Sequence, residues 1–355
     1  MLAYRHAFHA GNHADVLKHL VLVQLLEHLT QKDAPLVVVD THAGAGLYRL
    51  DGDYAGTSGE SDDGVVRLFQ ALAPAGKAEP AMAQDAIAPA IRDYMEAVAS
   101  FNPSGALKIY PGSPFLVQRQ LREEARDKLK LFELHPNDGK TLSANIDQLK
   151  AGRQVAIARE DGFEGLKAFL PPPSRRAMVL IDPSYEIKND YAKVSACIQD
   201  CLKRFATGTY VVWYPVIPRP EAHSLPRRLK TLATQAGKPW LHAQLAIGQR
   251  EEKAEPGEPE RRPGLTASGV FVVNPPHTLK AALQAGGFDF PGHTEMLAEI
   301  AGVPATMMLA SDRLRVVLAT THIALRDVPA AVTREALLQA AYATREGLRH
   351  DFGIA

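Results

Sequence analysis

Short apolar runs that alternate with helical patterns are the feature that most constrains the fold of this 355-residue chain. Amphipathic helical patterns, such as DYAKVSACIQDCLKRF (190–205), lie between most of these runs. The alternation predicts a doubly wound α/β sheet whose ligand binds at the carboxyl ends of the strands. The runs are rich in valine, isoleucine and leucine and have the length of buried strands: LVVVD (36–40), LKLFEL (129–134), QVAIARED (154–161), AMVLID (177–182), TYVVWYP (209–215) and GVFVVN (269–274).

One connection is longer than a simple crossover. Residues 51–104 contain their own helical pattern, AIAPAIRDYMEAVASF, so we predict a helical insertion there. No apolar run reaches the ~18 residues that a membrane helix needs, and the N-terminal sequence does not have the pattern of a secretion signal. We therefore expect a cytoplasmic protein without a membrane partner. The 40 acidic and 40 basic residues balance, so global charge alone does not indicate a nucleic-acid partner.

Acidic residues follow successive predicted strands at the point where each strand ends. Asp40 ends the first strand and begins the glycine-containing stretch DTHAGAGLYRL, Glu133 ends the second, and Asp161 and Asp182 end the next two. Surface charge has no reason to select strand tips. Because the carboxyl ends of parallel strands meet at one edge of a sheet, we expect these carboxylates to surround a common ligand.

The fourth of these strand ends carries the sequence DPSY, residues 182–185. It resembles the [D/N]PP[Y/F/W] motif of methyltransferases that modify exocyclic amino groups of nucleobases, with Ser184 in place of the second proline. In that chemistry Asp182 and the carbonyl of Pro183 would accept hydrogen bonds from the amine, and Tyr185 would stack on the base. The alternative is a structural turn in which Asp182 caps the following helix.

Further motifs occur in a fixed order along the chain: MLAYRHAFHAGNHADVLKHLVLVQLLEHL, DTHAGAG, YPGSP, FELHPND, EDGFEGLKAFLPP, LIDPSYE, RFATGTYVVWYPV and ASGVFVVNPP. From residue 1 to about 280 they closely resemble the RlmJ family, which methylates an adenine N(6) of 23S ribosomal RNA with S-adenosylmethionine. The resemblance implies a class I, Rossmann-like methyltransferase fold with an inserted helical subdomain. It also implies a role in rRNA processing.

The resemblance also implies roles for individual residues. His19, His42 and Ser113 would meet the methionine and carboxylate end of the cofactor, Glu133 the ribose, and Asp161 with Gly162 the adenine end. Asp182 would be the catalytic acceptor and would also contact the cofactor, with Pro183 and Tyr185 beside the substrate base. Tyr4 falls where the family places a residue that contacts RNA.

The N-terminal histidines have an alternative interpretation as metal ligands. His6, His9, His13 and His19 are closely spaced, but a buried helical histidine usually has a structural role. Methyl transfer from a sulfonium needs no metal, so we expect none.

After about residue 280 the chain departs from the RlmJ pattern. Residues 283–355 resemble an internal segment of 4-hydroxythreonine-4-phosphate dehydrogenase, through FPGHTE and LATTHIALRDVP. That family contacts substrate through the pair that is His293 and Thr294 here, and binds metal through the residue that is His322 here. Because one imidazole does not form a catalytic metal site, we expect no dehydrogenase activity from this segment.

The junction predicts a structural difficulty. We expect a methyltransferase domain in residues 1–282 and a truncated α/β segment after it, with the family's last strand lost from the sheet. Either RLRVVLATT (313–321) replaces that strand or the domain is weakened. The hypotheses are therefore an RNA adenine methyltransferase, a nicotinamide- and metal-dependent dehydrogenase, and a catalytically silent RNA-binding or misfolded fusion.

Overall fold

The computed structural model describes most of the chain, in these ranges: 6–52, 59–72, 87–247, 265–285, 308–310, 315–317 and 332–350. Four residues named above, Tyr4, His293, Thr294 and His322, lie outside the described residues. The chain divides into two compact units, one formed by residues 1–245 with 267–286 and the other by residues 246–266 with 287–355.

Seven strands form the sheet at the centre of the first unit: β1 (Val37–Asp40), β4 (Lys128–Phe132), β5 (Val155–Ala158), β6 (Ala177–Ile181), β7 (Thr209–Pro215), β8 (Trp240–Ala246) and β9 (Ala267–Val273). Their order in the sheet is β5-β4-β1-β6-β7-β9-β8. The first five strands of this order, β5, β4, β1, β6 and β7, pair in parallel. Strand β9 pairs antiparallel to β7, with Tyr210 opposite Val273. This arrangement confirms the predicted class I methyltransferase fold.

The expected loss of the last strand is wrong. The run at 269–274 is itself the antiparallel strand of this fold, and it lies between β7 and β8. The sequence patterns do not predict β8, so the predicted sheet is one strand short. The described part of RLRVVLATT, β11 (Arg315–Val317), pairs with β10 (Met308–Ala310) in a separate two-stranded sheet.

Helix α1 (His13–Leu29) is the central helix of the first unit. Asn12 caps its first turn, because the Asn12 side chain accepts a hydrogen bond from the Asp15 amide, and the helix is buried on almost every side. Helices α3 (Pro89–Ala99), α4 (Ser113–Gln120) and α9 (His277–Ala285) pack against it, as does β9. Residues from α1 therefore reach the interior of the molecule.

The described part of the predicted insertion contains helices and is flanked by a short strand pair. Strand β2 (Leu47–Arg49) pairs antiparallel with β3 (Ile109–Pro111), and the described part between them holds α2 (Arg67–Leu72) and α3. The remaining helices of the first unit are α5 (Pro136–Gln148), α6 (Gly162–Gly165), α7 (Asn189–Arg204) and α8 (Pro220–Gln235). Within the described ranges, no helix is both long enough and apolar enough to cross a membrane.

The second unit contains the pair β10 and β11 and the helix α10 (Arg334–His350). Both element types occur in it, as expected for an α/β fragment. Several large apolar side chains of α10 are exposed, among them Leu337, Leu338 and Tyr342.

Candidate active site

A cavity of about 230 Å³ opens at the carboxyl edge of the parallel strands. Asp161, Glu133 and Asp182 line it, at the ends of β5, β4 and β6. Asp40, at the end of β1 between β4 and β6, accepts a hydrogen bond from Ser113, a residue of the cavity wall. The sheet therefore brings together the strand-tip carboxylates that the sequence singles out.

Asp40 is fully buried and holds the two loops next to it. Its Oδ2 accepts a hydrogen bond of 2.6 Å from the Ser113 hydroxyl, and its Oδ1 accepts one of 3.2 Å from the His42 amide. Burial raises the pKa of this carboxyl to about 6, although both hydrogen bonds favour the charged form. Ser113 begins α4, so the positive end of that helix dipole lies at the cavity wall beside it.

Glu133 connects the loop that follows β1 to the loop that follows β4. One of its oxygens accepts from the Gly44 amide at 2.7 Å and the other from the His135 amide at 2.7 Å. Burial raises the pKa of this carboxyl, although the hydrogen bonds from the two amides act to lower it. A carboxylate oxygen has more than one acceptor site, so Glu133 can also accept from a ligand hydroxyl.

Asp161 and Gly162 form a tight turn at the end of β5. Asp161 accepts from the Phe163 amide at 2.9 Å and so caps α6. A Cβ on Gly162 would lie 2.0 Å from the carbonyl oxygen of Thr41, so only glycine lets the turn pack against the end of β1.

Two predicted ligand residues, His19 and His42, also line the cavity. Burial, followed by the charge of Lys18, lowers the pKa of His19 to about 3, and burial lowers the pKa of His42 to about 4. Both rings are therefore neutral near pH 7. The Nδ1 of His19 lies 2.7 Å from the Tyr110 hydroxyl, whereas its Nε2 is buried and has no hydrogen-bond partner in the described part of the chain.

A row of ionisable side chains connects α1 to the end of β6. The Nζ of Lys18 lies 2.7 Å from Oδ2 of Asp182 and 2.8 Å from Oδ1 of Asp15, and His6 lies 2.9 Å from the other oxygen of Asp15. Burial alone would lower the pKa of Lys18, but Asp15 and Asp182 outweigh it and raise this pKa above its usual value. Burial would raise the pKa of Asp15, but His6 and Lys18 hold it well below its usual range. The sequence patterns did not assign Lys18, Asp15 or His6 to the site.

The structure places the DPSY residues in two different environments. Asp182, Pro183 and Ser184 line the cavity. The ring of Tyr185 does not, because it is buried at 2% exposure and its hydroxyl donates to the carbonyl of Trp213 at 2.6 Å. It packs on Tyr191 at 4.6 Å between ring centroids, with a backbone φ of +54°. The stacking role expected for Tyr185 therefore requires its ring to move from this position.

The N-terminal histidines do not form a cluster of metal ligands. Within the described ranges, no group of three or more histidine, cysteine, aspartate or glutamate side chains could hold a metal ion. His6 and His9 instead face carboxylates of Asp15 and Glu60.

Two family models match the chain. Residues 267–355 match the family of the pyridoxal phosphate biosynthetic protein PdxA. The 4-hydroxythreonine-4-phosphate dehydrogenase of Xanthomonas axonopodis pv. citri is 49% identical over 84 residues, which are 24% of this chain and 25% of that enzyme. The chain thus spans about a quarter of the dehydrogenase that it resembles.

The larger match is to ribosomal RNA methyltransferases. Residues 33–290 match the family described as ribosomal RNA large subunit methyltransferase D, RlmJ. Ribosomal RNA large subunit methyltransferase J is 41% identical over 280 residues in Escherichia coli K12, covering 79% of this chain and 89% of that protein. The enzyme of the same name from Haemophilus influenzae is 39% identical over 285 residues, covering 80% of this chain and 91% of that protein. A crystal structure of a Legionella pneumophila protein superposes with a TM-score of 0.64 at 29% identity, over 84% of this chain and 96% of that one. With a family model that matches most of its length, this chain belongs to the RlmJ family of ribosomal RNA methyltransferases.

Proposed function

We propose that the protein transfers a methyl group from S-adenosylmethionine to the exocyclic N(6) of an adenine in 23S ribosomal RNA, in the bacterial cytoplasm and without a metal. One observation carries the proposal. Asp182 lines the cavity, where its Oδ2 accepts a hydrogen bond from Lys18 and its Oδ1 has no hydrogen-bond partner among the described residues. A carboxylate with one fixed and one open oxygen suits recognition of an amine.

The cavity residues fit the cofactor. The buried and unpartnered Nε2 of His19, the Ser113 end of α4 and the neutral ring of His42 suit the methionine end, whose carboxylate needs donors. Glu133 suits ribose hydroxyls, and the Asp161 to Gly162 turn suits the adenine end. When bound, the cofactor supplies a methyl group activated by its sulfonium charge.

The residues of the DPSY stretch would handle the amine. Oδ1 of Asp182 and the carbonyl of Pro183 accept its two N–H groups, which favours the lone pair that attacks the methyl group. Once the methyl group is attached, nitrogen carries a positive charge, and the Asp182 carboxylate accepts the proton that leaves. The Lys18 ammonium keeps the Asp182 side chain in place through Oδ2.

The residues proposed to contact RNA are chosen from the family resemblance. Tyr4 is proposed to contact the RNA, and Tyr185 is proposed to stack on the base after its ring leaves the contact with Trp213. The domain assignment is also proposed: residues 1–282 as the methyltransferase domain and 283–355 as a truncated dehydrogenase-like segment. A silent fusion depends on a missing strand, and the seven-stranded sheet does not favour it.

The test is transfer of labelled methyl groups to unmodified RNA. The full chain and an Asp182→Asn variant would be incubated with labelled S-adenosylmethionine and fragments of 23S or 16S rRNA, and the product nucleoside identified by mass spectrometry. We expect N(6)-methyladenosine in 23S RNA alone, with a rate about 10²-fold or more lower in the variant. Label at another atom, or equal rates in the two proteins, would contradict the proposal.

A further inference from the structure

A row of buried hydroxyl and imidazole groups runs from the helical insertion to the cavity. The Tyr94 hydroxyl, on α3, lies 3.0 Å from the Tyr110 hydroxyl, on β3, and the latter lies 2.7 Å from Nδ1 of His19, on α1. All three side chains are almost completely buried. His19 lines the cavity, whereas Tyr94 lies behind it in the insertion.

The direction of these hydrogen bonds follows from counting donors. Tyr94 has Tyr110 as its only hydrogen-bond partner within the described ranges. If Tyr110 donated to Tyr94, the leftover proton would be the buried Tyr94 hydroxyl proton, which has no acceptor within the described ranges, whereas in the other direction the leftover donor is on His19, which lines the cavity. Tyr94 therefore donates to Tyr110, and the Tyr110 proton is left to donate to Nδ1 of His19.

The state of His19 follows in turn. Its pKa of about 3 means that the neutral ring carries one proton. Since Nδ1 accepts from Tyr110, that proton lies on Nε2, the ring nitrogen that has no partner in the described structure. The only group left unpaired in the row is then an N–H donor on a residue of the cavity wall, and it requires an acceptor from a ligand.

We infer that Tyr94 and Tyr110 are positioning residues, which fix His19 in the Nε2–H tautomer so that it donates to the carboxylate of the bound cofactor. The identity of the acceptor rests on the proposed function, whereas the tautomer does not. The insertion thereby contributes to cofactor selection without contacting the cofactor. The row would not strengthen binding of a cofactor that lacks the carboxylate.

The tautomer can be measured without cofactor or RNA. In the ¹⁵N-histidine-labelled full chain, long-range nitrogen–proton spectra distinguish a ring protonated on Nε2 from one protonated on Nδ1, and His19→Gln identifies the signal. We expect Nε2–H in the wild type and a mixture of tautomers in Tyr110→Phe. Tyr210→Phe is the matched control, because it removes another buried hydroxyl, bonded to the carbonyls of Cys201 and Phe205, far along the chain from the row. A wild-type ring protonated on Nδ1, or an equal change in Tyr210→Phe, would overturn the inference.

Binding calorimetry tests the acceptor. Tyr110→Phe should weaken S-adenosylmethionine binding about tenfold, Tyr94→Phe should weaken it less, and neither should alter binding of decarboxylated S-adenosylmethionine. Equal losses for both cofactors would make the tyrosines merely structural and overturn the positioning role. If the wild type binds neither compound, the proposed function fails and the carboxylate is wrong as the acceptor, while the tautomer is judged by the spectra. Should Tyr110→Phe not fold, Tyr94→Phe and the wild-type spectrum decide the question.

Discussion

Lys18 lies between two carboxylates, 2.8 Å from Asp15 and 2.7 Å from Asp182, and its side chain is only 4% exposed. Such a lysine is held by its partners, since removal of one member of a buried ion pair leaves the others uncompensated. The sequence contains one signal of this arrangement. Asp15 and Lys18 form a charged pair, three residues apart, next to the long apolar run of the same helix. The partner in DPSY could not be predicted, because it lies 164 residues further along the chain.

Replacement of Lys18 should therefore destabilise the fold. Lys18→Met is expected to lower the free energy of unfolding by about 3–5 kcal/mol, because the buried Asp15 carboxylate loses the Lys18 ammonium. Denaturant titration measures the change. Lys167→Met is the matched control, since Lys167 also pairs with an acid three residues away but at an exposed site, and it should unfold as the wild type does. Lys18→Met with Asp15→Asn should recover part of the loss, and no recovery would contradict the explanation.

The buried histidines should make the fold sensitive to acid. The folded-state pKa values of His19 and His42, about 3 and about 4, lie below 6.5, so the unfolded chain binds more protons as the pH falls below 6.5. Each histidine then lowers stability by about 1.4 kcal/mol per pH unit down to its folded pKa. Asp40 acts in the opposite sense between about 3.8 and 6, because its pKa is raised. His42→Gln should therefore flatten the loss of stability between pH 6 and 5, and profiles parallel to the wild type would contradict this.

Strand-tip turns are the elements that shape the cavity. The parallel strands and their terminal acids were predictable, because buried parallel strands read as continuous apolar runs and the acids interrupt those runs. Strand β8 was missed, since its sequence WLHAQLA mixes polar and apolar residues, as suits the edge of a sheet. The position of Tyr185 was equally unpredictable, because its ring is held by the carbonyl of Trp213 on another strand.

One turn allows a clear test at this scale. Gly162→Ala should push the turn away from Thr41, lower the free energy of unfolding by about 1–3 kcal/mol and weaken S-adenosylmethionine binding. Thermal unfolding and calorimetry measure the two effects. Gly139→Ala is the matched control, because Gly139 lies within α5 and the nearest atom to its added Cβ, 3.6 Å away, is in ordinary contact. An equal effect of both substitutions would show that the contact with Thr41 is not the cause.

At the scale of the whole molecule, the chain combines a region that matches the RlmJ family with a segment that matches part of the PdxA family. The first unit, residues 1–245 with 267–286, contains the sheet and every described residue of the proposed site. The antiparallel β9 ends at Val273, so the sheet needs no strand from the dehydrogenase-like segment. The sequence patterns do not predict β8. Without that strand, they could not show that β9 is the last strand of the sheet.

The most direct measurement compares the full chain with a version that ends at Gly286. Both would be assayed for thermal unfolding and for labelled methyl transfer from S-adenosylmethionine to a 23S rRNA fragment. We predict unfolding midpoints within a few degrees of each other and equal rates of N(6)-methyladenosine formation, because sheet and cavity lie before that residue. A shortened chain that unfolds at a much lower temperature, or that loses methyl transfer while the full chain retains it, would contradict the claim that the first unit is complete.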